Sequence, residues 1–104
     1  MAAELNIVDG EGNTVLLTGE IDTHTSPLLE NHLRELEDSS VVVLDLSAVS
    51  FISSAGLTAM LTAQARLDAG GGSLTVRNPT AAVERMISLS GLNDLLGADQ
   101  GESS

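Results

Sequence analysis

The stretch "VVVLDLSAVSFI", residues 41–52, constrains the fold more than any other part of the chain. It opens with four consecutive apolar residues, and a continuous run of that kind marks a strand buried on both faces, in the middle of a sheet covered by helices. The residues that follow switch to helical spacing. Leu57, Met60, Leu61 and Leu67 recur on one side, and Thr58, Thr62 and Arg66 on the other, which predicts a helix over 54–68. Gln64 falls within the apolar face with no evident partner. A buried strand that runs directly into an amphipathic helix is the building unit of an α/β sheet.

The flanking sequence extends that unit in both directions. "ELNIV" (4–8) and "TVLLTG" (14–19) are short β-like runs joined by "DGEGN", whose glycines and asparagine tolerate positive φ, so they predict a hairpin. Ser26 before Pro27 predicts a helix start, because serine can cap unpaired amides and proline has no amide to satisfy. That helix runs over 27–37, with Leu29, Leu33 and Leu36 as its apolar stripe and His32 beside it. "DAGGGS" ends the second helix, since consecutive glycines hold helical order at high entropic cost. "SLTVR" reads as another strand. "NPTAAVERMISLSG" offers Asn78 as cap, Pro79 in the first turn, Val83, Met86 and Ile87 as the buried face, and Gly91 as the stop. "LNDLLG" adds one helical turn, and the polar "ADQGESS" reads as a disordered acidic tail. The order β-β-α-β-α-β-α predicts a single α/β domain over residues 4–96 and a tail over 97–104. Its sheet is four- to five-stranded, mixed and mostly parallel, with an N-terminal hairpin, helices packed on it and right-handed crossovers.

Composition narrows both the core and the partners. A chain of 104 residues supports one core and not two. Phe51 is the only aromatic residue, so the core must be built from Leu, Val, Ile and Ala. The absence of cysteine excludes disulfides, thiolate metal sites and a cysteine nucleophile. No apolar run approaches the roughly 20 residues that span a bilayer, and "MAAELNIVDG" carries acid where a signal peptide carries base, so the expected location is the cytoplasm. Fifteen acids against four arginines and no lysine give a net charge of −11. Binding nucleic acid needs a basic face and stacking aromatics, and an anionic membrane surface needs a basic face, so both are excluded as partners. A partner bearing basic groups is steered towards such a chain.

Ser53 and Ser54 sit where the central strand meets the second helix, the edge of an α/β sheet at which sites gather. Ser53 reads as an ordinary N-cap, worth roughly 1 kcal/mol, which leaves Ser54 without an account. An anion, including a phosphoserine, is stabilised by the partial positive charge of a helix N-terminus. A hydrolytic serine fits poorly, because the nucleophile elbow G-x-S-x-G has only Gly56 in place, with Ile52 and Ser53 preceding Ser54. His24 and Asp22 are the available base and orienter, yet neighbours within one loop seldom point at a distant hydroxyl. The reading is therefore of a protein that is not an enzyme. His24 and His32 lie eight residues apart with no cysteine and read as surface or half-buried side chains rather than metal ligands. Gly19, Glu20 and Asp22 read as a loop leading into the first helix, with Asp22 a recognition group rather than a structural one.

The segments "GEID", "VVVLDLSAVSFISSAGL" and "LTVRNPTAAVERMISLSGL" strongly resemble the STAS domain family, and particularly the bacterial anti-sigma factor antagonists. The resemblance covers residues 4–96. The family's core reads D-L-S-x-V-x-F-x-D-S-S-G-L or a close variant, and Asp45, Leu46, Ser47, Val49, Phe51, Ser54, Gly56 and Leu57 fit it. Ser53 stands where aspartate is common, and Ala55 where a second hydroxyl or another small residue is often found. The resemblance implies that Ser54 is phosphorylated by a kinase that is itself the anti-sigma factor, with Ser53 as a competing acceptor. It implies a partner surface made of Gly19, Glu20, Asp22, Ser53, Ser54 and Gly56. The unmodified protein would bind the anti-sigma factor kinase and release a sigma factor for transcription; phosphorylation would end binding, and a metal-dependent serine phosphatase would restore it. No cofactor is implied, since the nucleotide and magnesium belong to the kinase. Phosphate adds about −2 charge, so an acidic or desolvated patch on the partner would reject it. STAS domains also serve as subunits of lipid-transport complexes and as non-switching signalling scaffolds, which is the alternative reading. The family's anion-transporter role is excluded by the lack of a membrane segment.

Overall fold

The computed structural model describes residues 4–91. Its elements are β1 (Leu5–Asp9), β2 (Thr14–Ile21), α1 (Ser26–Arg34), β3 (Val41–Ile52), α2 (Ser54–Ala69), β4 (Ser73–Arg77) and α3 (Ala81–Leu89). The strands form one four-stranded sheet in the order β1-β2-β3-β4. β1 and β2 are an antiparallel hairpin, while β2-β3 and β3-β4 pair in parallel. This is the α/β domain with a mixed sheet and N-terminal hairpin that the element order predicts. The expected turn at "LNDLLG" and the tail lie outside the described residues.

Alternation along the strands decides which side is covered. Leu5, Val15, Leu17, Ile21, Val42, Leu44, Leu46, Val49, Ile52, Leu74 and Val76 are buried, and they share one core with Leu29 and Leu33 of α1, Leu57, Met60 and Leu67 of α2, and Val83 and Ile87 of α3. The core is aliphatic, as the composition requires. The opposite face carries Asn6, Val8, Leu16, Thr18 and Val41 exposed, with Val43, Asp45 and Thr75 half-buried. The expectation of a central strand buried on both faces is thus corrected: β3 is central in the hydrogen-bonding direction but covered by described helices on one face alone. Its four-residue apolar run places Val41 on the open side at 59% exposure.

Helix boundaries differ from the expected ones for identifiable reasons. α1 begins one residue early, with Thr25 as its N-cap residue and Pro27 within the first turn, and it ends at Arg34 instead of residue 37. A carbonyl of its last turn and one just beyond it are taken up by a neighbour: Arg66 of α2 donates from Nη2 to Leu33 O at 2.5 Å and from Nη1 to Leu36 O at 3.1 Å, and it also pairs with Asp38. Arg66 therefore caps α1 from a different helix instead of lying on a solvated face. At α3 the expected cap, Asn78, adopts φ 56°, and the N-cap residue is Thr80. The left-handed turn at Asn78 lets its side chain reach Asp45 Oδ2 (3.4 Å), and Thr80 Oγ1 donates to Val49 O at 2.8 Å. β4 pairs with β3 only as far as Asp45, so Thr80 satisfies a strand carbonyl beyond the end of β4. Gln64, unexplained by the sequence, donates to Leu74 O at 2.9 Å and so occupies a backbone acceptor of the terminal strand, which limits edge-to-edge pairing.

Candidate functional site

The site is assembled by the C-terminal ends of β2 and β3 and the first turn of α2. Ser53 leaves β3 in an extended conformation and donates its amide to Ile21 O at 2.8 Å, tying the two strand ends together. Its Oγ accepts from the Gly56 amide at 3.4 Å, and its carbonyl accepts from the Leu57 amide at 3.0 Å. Ser53 is thus the N-cap, with its hydroxyl engaged in helix geometry. Gly56 lets the helix settle this close, because a Cβ there would fall 2.6 Å from Ile21 Cγ2 and 2.9 Å from Ile52 Cγ1.

Ser54 occupies the first position of α2 and is exposed. Its carbonyl accepts from Thr58 Oγ1 at 2.9 Å, and among the described residues no hydrogen bond involves its hydroxyl. The first turn of α2 contains no acidic residue, so the amide dipoles at this end have no carboxylate facing them from within the turn. The two adjacent serines are therefore distinct: one hydroxyl builds the helix start and the other is presented to solvent.

The segment read as a loop divides in two. Gly19 and Glu20 belong to β2, and the loop proper begins at Asp22. At Gly19 the strand breaks register and adopts φ +121°, with the next amide, of Glu20, donating to Glu4 O at 2.9 Å. Glu20 pairs with Phe51 across the strands and points its side chain to solvent. Asp22 then organises the turn into α1. Its Oδ1 accepts from the amides of His24 (2.8 Å) and Thr25 (2.9 Å), and its own amide donates to Thr25 Oγ1 at 2.9 Å. The buried Thr25 hydroxyl in turn donates to Glu20 O at 2.8 Å.

These bonds lower the Asp22 pKa, chiefly through the Thr25 amide, and the Ser47 amide does the same for Asp45. One oxygen of Asp22 is committed within the turn, so the residue has a structural part beside the recognition role expected of it. A group with a depressed folded pKa contributes stability that is full above its ordinary value of about 3.8 and is lost as pH falls through the lowered one. Asp22→Asn keeps an acceptor but not the charge, so its curve of thermal midpoint against pH should fall less steeply than the wild type's below about pH 4. Asp22→Ala should lower the midpoint at neutral pH as well. Circular dichroism melts across pH 3–7 check both expectations.

Among the described residues neither histidine ring is hydrogen-bonded to Ser53 or Ser54. Asp22 engages the backbone amide of His24 and not its ring, and no described hydrogen bond links either residue to Ser54. His32 Nε2 lies 2.9 Å from Asp9 Oδ1, on the α1–β1 side of the fold. Among the described residues no group of three or more His, Asp or Glu side chains is placed to hold a metal ion, and no helix is long and apolar enough to cross a membrane.

Two residues at this end gain a place that the sequence does not give them: Thr25 is not singled out there, and Phe51 stands out only as the sole aromatic residue and as part of the family pattern, without a role at the site. Thr25 is the polar hub of the turn, legible in retrospect as Asp-x-x-Thr before a helix. Phe51, the sole aromatic residue, is 47% exposed beside Glu20 and Ser53. Full burial of such a side chain is worth about 1.5–3 kcal/mol, and roughly half of the ring's surface is left outside that gain.

Comparison with known proteins places this arrangement in a family. A family model described as "Mlab, STAS domain" matches residues 8–97. Among solved structures, an anti-sigma factor antagonist from Mycobacterium paratuberculosis is 31% identical, with a TM-score of 0.71 over 92% of this chain and 84% of that one. The anti-sigma factor antagonist SpoIIAA in its unphosphorylated form is 22% identical, with a TM-score of 0.66 over 90% of this chain and 84% of that one. The Bacillus cell fate determinant SpoIIAA in its phosphorylated form is 21% identical, with a TM-score of 0.57 over 90% and 87%. At the two lower identities the likeness is one of fold. The family match spans nearly the whole described chain, including β3, the paired serines and the start of α2, and the protein belongs to the STAS domain family.

Proposed function

We propose that the protein is an anti-sigma factor antagonist that binds an anti-sigma factor kinase when unmodified and loses that partner when Ser54 is phosphorylated. The observation that carries this reading is the separation of roles between the two serines: Ser53 Oγ caps α2, whereas the Ser54 hydroxyl is exposed at the first helical position. The 31% identical neighbour, itself an anti-sigma factor antagonist, supports the general role. Glu20 and the uncommitted oxygen of Asp22 are the partner-facing carboxylates, while Gly19, Gly56 and Ser53 act by holding the backbone that presents them.

The switch rests on electrostatics at the kinase's own site. An acceptor hydroxyl must meet the terminal phosphate of the kinase-bound nucleotide, with the magnesium and nucleotide supplied by the kinase. Once the phosphate is transferred, a dianion occupies a contact sized for a hydroxyl and faces the phosphates of the bound nucleotide. Hydrolysis by a metal-dependent serine phosphatase resets the surface. The protein is a substrate in this cycle and performs no chemistry.

The test is incubation with the anti-sigma factor kinase of the source organism and MgATP, followed by peptide mapping. Phosphate is expected on Ser54, with Ser47 and Ser50 unmodified. Phosphate on Ser53 alone would transfer the role to the capping hydroxyl. No phosphate anywhere would favour a second reading, a STAS subunit that docks without switching, which the "Mlab" description of the matching family model keeps in view.

A further inference from the structure

We infer that Phe51 is the apolar anchor of the partner surface, and that the partner meets it with an apolar socket bordered by arginine or lysine. The inference rests on the antagonist reading above and adds the chemistry of the contact. A fold with an aliphatic core has no need of an aromatic ring to fill it, and the single one it contains stands 47% exposed, outside the set of residues that form or pack against the core. Its position is fixed by the strand register. Phe51 lies opposite Glu20, and Ile52 opposite Ile21, whose carbonyl holds the Ser53 amide. The ring is therefore carried by the same pair of strand ends that presents Asp22 and Ser54.

The segments that carry the ring and the neighbouring strand end have charge of one sign. Glu4 and Glu20 are exposed and joined through the Glu20 amide and Glu4 carbonyl, and Asp22 is half-buried next in the chain. The segments that build this end, residues 4–5, 19–28 and 50–58, contain no arginine or lysine. An exposed aromatic ring next to the exposed carboxylates of Glu4 and Glu20 matches a socket of aliphatic side chains with a cationic rim. Aromatic residues in such central positions carry a disproportionate share of binding energy, and the surrounding charges set association rate and salt dependence.

The experiment uses the full chain and the purified anti-sigma factor kinase. Phe51→Ala should weaken binding by at least about tenfold, and Phe51→Leu should recover part of that loss. Thermal midpoints should stay near that of the wild type, because the ring contributes little to the core. Val41→Ala, at the opposite end of the same strand, should bind as the wild type does. Affinity of the wild type should fall as salt rises, whereas the ratio between wild type and Phe51→Ala should persist at high salt, because that ratio reports apolar contact. Wild-type affinity in Phe51→Ala overturns the anchor and leaves the antagonist reading standing. A Phe51→Ala protein with a midpoint many degrees lower makes the ring a structural group and overturns the anchor as well. Failure of the wild type itself to bind the kinase overturns both.

Discussion

Gly19→Ala should be among the most destabilising single substitutions in this protein, lowering stability by roughly 3 kcal/mol as backbone strain and overpacking combine. The residue holds φ +121°, and a Cβ built there would fall 2.1 Å from the carbonyl oxygen of Glu4. No rotamer relieves a clash with backbone, so β1 must move away from β2 or the bulge must unwind. For a domain of this size the thermal midpoint should fall by more than about 10 °C. Gly12→Ala is the control, since Gly12 also has positive φ (+62°) but no heavy atom within 4 Å of the point where a Cβ would stand; it should cost only the conformational part. Melts of the two variants separate steric exclusion from φ strain. A Gly19→Ala protein that has lost its partner has therefore lost the fold of the site and not a contact.

Ser54 should behave in the opposite way, with large effects on binding and small ones on stability. Ser54→Ala removes a hydroxyl that makes no hydrogen bond to a described residue, so it should fold and bind the kinase as the wild type does while accepting no phosphate there. Ser54→Glu puts a carboxylate at the start of α2, where the helix dipole favours it by a few tenths to 1 kcal/mol. It should be as stable as the wild type, yet bind less tightly. One charge is less than the roughly two of a phosphate, so its affinity should lie between those of the unmodified and phosphorylated proteins. Calorimetry with the kinase reads affinity, and circular dichroism reads the fold.

The readable parts of this fold are those set by local pattern. β3 is bounded as its run of alternating and apolar residues predicts, and α2 begins where the apolar spacing turns helical. Failures cluster where distant residues supply the missing partner. α1 stops at Arg34, and the carbonyls of Leu33 and Leu36 around that end are bonded by Arg66, a residue of the next helix far along the chain; no local signal records that. Asn78 looks like a cap by type, but Asp45 draws it into a left-handed turn instead. The mistaken expectation at β3 has another cause: an apolar run reports that a strand is central without reporting how many of its faces are covered. At the site, the serine pair and Gly56 were legible because they interrupt a strongly patterned segment. The structural duty of Asp22 was not, since the same residue type suits both an exposed recognition group and the internal acceptor of a turn.

The central claim is that phosphate on Ser54 governs partner binding without altering the fold. The most direct measurement is titration calorimetry of the purified anti-sigma factor kinase with unmodified protein and with protein phosphorylated at Ser54, each confirmed as folded by circular dichroism. The account predicts that phosphorylation weakens binding more than about a hundredfold, equivalent to roughly 3 kcal/mol, with matching spectra. Equal affinity for the two forms would contradict it.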